Sequence, residues 1–412
     1  MDRTTPLIRY YRATALFLLN VVVLLVLANV GLYFVFRVKD NRTARNAARI
    51  HESESLKIAY PDLDARDIDQ LVRETWSRSY AYEPFTQFKE RSFRGRFVNV
   101  SEAGFRLSKD QGPWPPDPKH YNVFLFGGST VFGYGVPDGE TIASYLQAYL
   151  REHAWHDVCV YNFGRSSYVS SQERVLLEEL LLADFVPDLA LFVDGLNEFA
   201  FPEGPAETQR LKAVFEGKAD VRGWQWAKDL PMGRLARFVH GAGASALTHR
   251  PNVNPRNVEP PSALDDPKYD NPEIIARVIK RYLDNKRLIE AVSREYGTRA
   301  AFVWQPIPLY KYDLKYHPFA TGDFGTNAFA QHGYRYMERR VREEPPSENF
   351  LWCADIQEAL AEPLYVDKVH YTARMNCLIA SIVGRWVIER DPPDHAQVGD
   401  SVTQGNRGQR AP

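Results

Sequence analysis

Cysteine is nearly absent from this chain: of 412 residues only Cys159, Cys353 and Cys377 are cysteines. An odd, sparse set without knuckle-like spacing excludes a cysteine metal motif. It argues for buried apolar thiols over a disulfide framework and leaves the redox compartment open. An excess of either charge is missing too. The 51 Lys and Arg against 52 Asp and Glu give a formal net charge of -1, so no global electrostatic case for nucleic acid exists. No internal repeat is found and most of the length lacks low complexity, which excludes a repeat architecture. The chain is long enough to bury a substantial core, in one large domain or two.

A long hydrophobic run is what the front of the chain does have. Residues 13–36 are apolar except for Thr14, Asn20 and Asn29, and carry no charge. As a helix they would rise about 36 Å, enough for a hydrocarbon core of ~30 Å. The run exceeds a signal-peptide core and no small-residue cleavage site follows it. It reads as an uncleaved anchor through the lipid bilayer, behind a basic segment, residues 1–12. Arg3, Arg9 and Arg12 precede the span, while Arg37, Lys39, Arg42, Arg45 and Arg49 follow it. The flanking charge alone puts the large domain in the cytoplasm, yet long following domains translocate regardless of such charge. Orientation is left open at this level.

Residues 37–81 are charged, with Leu63, Ile68, Leu71 and Val72 at helical spacing, and read as a helical stalk or linker. From Tyr82 the texture becomes aromatic and alternating, which predicts extended segments on the flank of a domain spanning 82–390. A proline-rich stretch, QGPWPPDPKH, then delivers the chain into YNVFLFGGSTVF. There an apolar run stops at Gly127-Gly128-Ser129-Thr130, as a buried parallel strand ending in a glycine turn would. Apolar runs recur at 158–161, 189–193, 300–304 and 350–353, separated by amphipathic stretches at 140–150, 273–296 and 373–388. Another helix follows the second strand, with Ser170 and Glu173 spaced as a capping box. Strands alternating with helices predict an α/β fold, a three-layer sandwich around a five-stranded, mainly parallel, flavodoxin-like sheet. Residues 200–270 interrupt the alternation and read as an inserted subdomain or lid. A second polar excursion covers 311–348, and 391–412 reads as a disordered tail.

Suggestive groups fall at the strand ends, where ligands bind in open α/β sheets. Serine becomes a useful nucleophile when a base takes its proton, and histidine suits that near neutral pH. Ser129 closes the first strand, and Asp367 stands three residues before His370 ahead of the last helix. A carboxylate there can accept from the ring Nδ1–H while Nε2 faces the serine. Acyl transfer also needs donors for a developing oxyanion. The backbone N–H groups of Ser129 and Gly164 and the Asn197 side-chain amide would supply three.

At these residues the chain resembles the SGNH (GDSL-type) hydrolase superfamily. Gly127-Gly128-Ser129 resembles its nucleophile block and Asn162-Phe163-Gly164 its glycine block. Gly195-Leu196-Asn197-Glu198 resembles the asparagine block, and Asp367-Lys368-Val369-His370 the Asp-x-x-His block. The four occur in order over residues 121–388. Gly128 replaces the usual Asp before the serine, and Glu198 the usual Asp after the asparagine. Those departures resemble a membrane-anchored bacterial branch, and tip the orientation toward an extracytoplasmic domain. The resemblance implies a serine esterase that cleaves a short O-acyl ester, through an acyl-enzyme, on a small molecule, a lipid or a cell-envelope glycan. The same groups would serve an O-acyltransferase acting on a polysaccharide. The rival from a different class is a non-catalytic envelope protein that keeps the fold for binding.

Remaining candidates are weaker. Gly133-Tyr134-Gly135 lacks the third glycine of a dinucleotide fingerprint and the Lys-Ser/Thr of a phosphate loop. His153 and His156 have no carboxylate or cysteine at ligand spacing, so neither a metal nor a cofactor is expected. Arg165 and Glu198, beside the glycine and asparagine blocks, are candidate substrate-binding residues. Trp224, Trp226 and Tyr310 would stack on a sugar, although aromatic core packing accounts for them better.

Overall fold

Strand β5 (Tyr121–Gly127) lies inside a five-stranded sheet, with β6 (Val158–Asn162) on one side and β7 (Leu189–Asp194) on the other. Strands β8 (Arg299–Trp304) and β9 (Phe350–Trp352) extend it, giving the order β6-β5-β7-β8-β9 with every pair parallel. The description comes from a computed structural model and covers residues 5–50, 52–154, 157–205, 270–320 and 324–391. Counted in chain order the sheet runs 2-1-3-4-5, the flavodoxin-like arrangement, whose order reverses beside β5.

Alternation along the strands sorts the two faces by side-chain type. Val123, Leu125, Leu191, Val193 and Val303 face α5 (Ile142–His153) and α10 (Ala373–Arg390), in one cluster with Ile142, Leu146, Ile379 and Val383. Phe124, Phe126, Phe192 and Phe302 face the opposite way, with Leu176 and Leu177 of α6 (Ser170–Leu182) and Ile289 of α8 (Pro272–Glu295). The parallel register aligns Phe126 with Phe192 and Phe192 with Phe302. Their rings stack at 4.8 and 5.3 Å between centroids. Burying each such ring stabilises the fold by roughly 1.5–3 kcal/mol. Helices thus cover both faces, and the carboxyl ends of the strands open at one rim.

Several local expectations change. The excursion at 311–348 contains α9 (Ala328–Glu343), which buries Phe329, Tyr334 and Met337 in a third cluster with Trp304 and Tyr282. Ser170 does not cap α6. Val169 stands at the cap, the Ser170 hydroxyl accepts from Asn285 Nδ2, and Glu173 is buried. The stretch called stalk or linker is divided between two compact units, one of residues 1–58 with 207–261, the other Ala59–Ala206 with Ser262–Pro412. Helix α3 (Ala65–Trp76), preceded by α2 (Glu52–Ala59), belongs to the second unit because Ile68 and Leu71 are buried. Two short antiparallel pairs follow it, β1 (Tyr80–Glu83) with β2 (Gln87–Glu90) and β3 (Phe93–Arg94) with β4 (Asn99–Val100).

In the first unit, α1 (Thr5–Ile50) contains Ile8–Phe34, the one span among the described residues long and apolar enough to cross a membrane. Its large side chains, Leu16, Phe17 and Leu24 among them, are exposed, and Asn29 donates to the Leu25 carbonyl one turn back. Most of the 200–270 insertion, with Trp224 and Trp226, and nearly all of the 391–412 tail lie outside the described residues.

Candidate active site

Ser129 opens the short helix α4 (Ser129–Phe132) directly after β5. Gly128 before it has no room for a side chain, because a Cβ would lie 2.3 Å from Asn197 Nδ2. His370 precedes α10, on a loop closed by the bond from Val366 N–H to the His370 carbonyl. The structure brings its Nε2 to 2.8 Å from Ser129 Oγ across a sequence separation of 241. Its Nδ1 lies 2.7 and 2.9 Å from the two oxygens of Asp367.

Asp367 Oδ1 also accepts from the backbone N–H groups of Val369 and His370, each at 2.9 Å. Burial opposes ionisation of Asp367, but electrostatic attraction to the His370 ring, its hydrogen bond and those two N–H groups outweigh it. They hold the carboxyl below its usual range. A carboxylate only accepts, so Nδ1 carries the ring hydrogen and the Nε2 lone pair faces the serine hydroxyl. Ser129 is half-buried and His370 buried.

Gln305, which sequence reasoning passed over, couples the two loops. Its Oε1 accepts from Thr130 Oγ1 at 2.7 Å and from Tyr371 Oη at 3.1 Å. Those are the residues following Ser129 and His370. Arg106 does similar work for the turn after α4, donating to the carbonyls of Phe132, Gly133 and Val136 while paired with Asp138. Neither carries a local motif that would have marked it.

The expected oxyanion donors fare differently. Ser129 N–H lies in the first turn of α4, where a helix leaves its N–H groups unused. Asn197, on α7 (Leu196–Ala200), donates one amide hydrogen to the Tyr168 carbonyl at 2.8 Å and keeps a second against Gly128. Gly164 N–H is spent on Asn162 Oδ1 at 3.0 Å. That glycine serves a close approach instead, since a Cβ there would lie 2.3 Å from Phe132 N. Further along the same loop Ser167 has φ 58°, a left-handed conformation unusual for serine. It directly precedes Tyr168, and its N–H is free among the described residues.

Arg165 and Glu198, the candidate substrate-binding residues, are both buried. Arg165 is 1% exposed, paired with Glu83 at 2.5 Å and bonded to Tyr168 Oη at 2.8 Å. Glu198, also 1% exposed, accepts from Ser170 N–H at 2.6 Å and pairs with Arg281 at 3.0 Å. Both are buried and held by internal ion pairs rather than presented at the open rim. Tyr310 is buried against Tyr334 and Trp352, which bears out core packing. Among the described residues no three His, Cys, Asp or Glu side chains converge as metal ligands would.

No family model matches the sequence, and no curated protein matches it. Solved structures do resemble it. A lipase from a goat rumen metagenome matches at 11% identity and TM-score 0.37, over 66% of this chain and 98% of that one. A lipase/acylhydrolase from Enterococcus faecalis matches at 12% identity and TM-score 0.32, over 65% and 96%. A catalytic mutant of an acetylxylan esterase from Geobacillus stearothermophilus matches at 11% identity and TM-score 0.34, over 65% and 94%. These likenesses are distant, and the chemistry of the site is read from its own distances.

Proposed function

We propose that the chain is a serine esterase of the SGNH type, anchored by α1 with its catalytic unit on the extracytoplasmic side, cleaving a short O-acyl ester. One observation carries the reading: the unbroken relay from Ser129 Oγ to His370 Nε2, and from His370 Nδ1 to the ionised Asp367. Ser129 Oγ attacks the ester carbonyl while His370 Nε2 takes its proton, and Asp367 stabilises the imidazolium. The carbonyl oxygen becomes an oxyanion facing the Ser129 N–H and the second Asn197 amide hydrogen. As the carbon–oxygen bond to the alcohol breaks, His370 returns the proton to the leaving oxygen. Water, deprotonated by His370, then attacks the acyl-enzyme, freeing the acid and restoring the Ser129 hydroxyl.

The test is turnover of triacetin by the full chain in detergent micelles, following free acetate by pH-stat, with and without a polysaccharide acceptor. Acetate release matching ester loss under both conditions is expected. Ester loss with the acetyl group recovered on the polysaccharide would replace the hydrolase with a transferase. No turnover of triacetin or of longer glycerol esters would sink the reading.

A further inference from the structure

The aromatic rings around His370 come from a part of the chain remote in sequence from Ser129. Trp76, the last residue of α3, lies with its ring centroid 5.2 Å from the His370 ring, at an interplanar angle of 70°. On another side Tyr134 stacks on His370 at 5.2 Å and 21°. Trp76 and Tyr134 meet at 4.8 Å, and Tyr80 continues outward with its hydroxyl 3.3 Å from that of Tyr134. The rings form a continuous series from the histidine to the surface. Tyr134 is buried, whereas Trp76 is 49% exposed, Tyr80 44% and Tyr82 80%.

This series is held firmly. The Glu74 carboxylate, one turn-half before Trp76, accepts from the N–H groups of Arg96, Phe97 and Val98 at 2.8–3.1 Å. Asp67 pairs with Arg96, and Leu71 of the same helix is fully buried. Arg78 lies over the rings of Phe132 and Tyr134 and pairs with Glu90. An indole fixed this way loses little freedom when a ligand lies against it.

The chemistry of the series selects among occupants. Among the described residues from 59 to 154, the exposed large apolar side chains are Trp76, Tyr80, Tyr82 and Phe85, and all are aromatic. An acyl chain is usually enclosed by aliphatic side chains in a cavity. A 730 Å³ cavity between α8 and α9 is lined by none of Ser129, Asp367 and His370. Flat, open rings with hydroxyls at their edges suit a pyranose, whose C–H face lies on the ring while its own hydroxyls stay in water.

We infer that Trp76, continued by Tyr80, is a specificity-determining subsite for a pyranose ring of an acylated glycan, positioned beside the ester presented to Ser129. The inference deepens the esterase reading and rests on it for the position of the scissile bond. The full chain in micelles is assayed on methyl β-glucoside tetraacetate, triacetin and glycerol trioctanoate. In Trp76→Ala the kcat/KM ratio of glycoside to triacetin should fall about tenfold, chiefly through KM, whereas Trp76→Phe should stay within about threefold. An equal fall on both acetates, with a shifted pH profile, would make Trp76 only a positioning residue for His370 and overturn the subsite. So would an unchanged ratio. A larger loss on trioctanoate would assign the rings to acyl chains and overturn it equally. Calorimetric titration of Ser129→Ala with the glycoside separates the two claims, because it needs no turnover. Binding that Trp76→Ala weakens about tenfold, in a chain that hydrolyses no ester, would keep the subsite and remove the esterase. No binding by a chain that turns over triacetin would do the reverse.

Discussion

The carboxyl ends of β5 and β7 are neighbours in the sheet, and each is surrounded by acids and hydroxyls put to opposite uses. Beside β5, Asp367 is paired with a base and two N–H groups, so it is held ionised, and the serine at the end of the relay remains half-exposed. Beside β7, Asp194 and Glu173 are sealed. Burial pushes both carboxyls well above their usual range, and the nearby acids push further. Burial also pushes the neighbouring Tyr282 hydroxyl up. The same residue types thus make a charged relay where an acid meets a base, and carboxyls pushed toward their protonated form where acids are buried beside other acids.

The comparison breaks first on activity. Ser129→Ala and His370→Ala should each lower ester turnover by on the order of 10⁴-fold or more, and the double variant should be little worse, since the pair acts as a unit. Multiplying losses in the double variant would mean two independent groups. Asp367→Asn comes next, at on the order of 10⁴ in kcat with the melting temperature kept, because an amide favours the wrong tautomer of His370. If that variant instead unfolds, the acid beside β5 is holding the fold as the acids beside β7 do.

On the sealed side the effects should move from rate to stability. Glu198→Ala leaves Arg281 without its carboxylate and Ser170 N–H without its acceptor, and should cost about 2 kcal/mol or more in urea denaturation. Turnover per folded molecule should stay within about threefold, since the group lies outside the relay. The smallest effect is a pH dependence. Glu173 has a raised folded pKa, so its stability contribution is full below the unfolded value of about 4.3 and is lost as pH rises through the folded value. Glu173→Gln removes that loss, and its melting temperature relative to the parent should rise more at pH 8 than at pH 5. A difference that does not vary with pH would mean that Glu173 is charged in the folded protein.

The sheet was legible because each core strand is a nearly unbroken apolar run with turn residues after it, and Ser129 falls directly at such an end. Asp367 and His370 were legible as well, since three residues on a tight turn suffice to bring carboxylate and ring together. Donor direction was not. The sequence places Gly164 beside the site, but only the fold reveals that Asn162 has taken its N–H. The internal pairing of Arg165 and Glu198 was hidden for the complementary reason. A charged residue next to a motif looks available until its internal partner, Glu83 or Arg281, comes from far along the chain. Helix α9 was hidden by its Arg, His and Tyr content, because its core face is made of Tyr334 and Met337 with few aliphatics. Trp76 could not be placed at all, since its contact with His370 spans most of the domain.

An activated Ser129 reacts covalently with an electrophilic phosphonate, and labelling reads that property without a known substrate. The full chain in micelles is treated with a fluorophosphonate, digested, and mapped by mass spectrometry. A single adduct on Ser129, formed quickly by the parent and lost in His370→Ala, is the predicted result. An unlabelled Ser129 in folded protein, or an adduct that forms equally fast without His370, would contradict it.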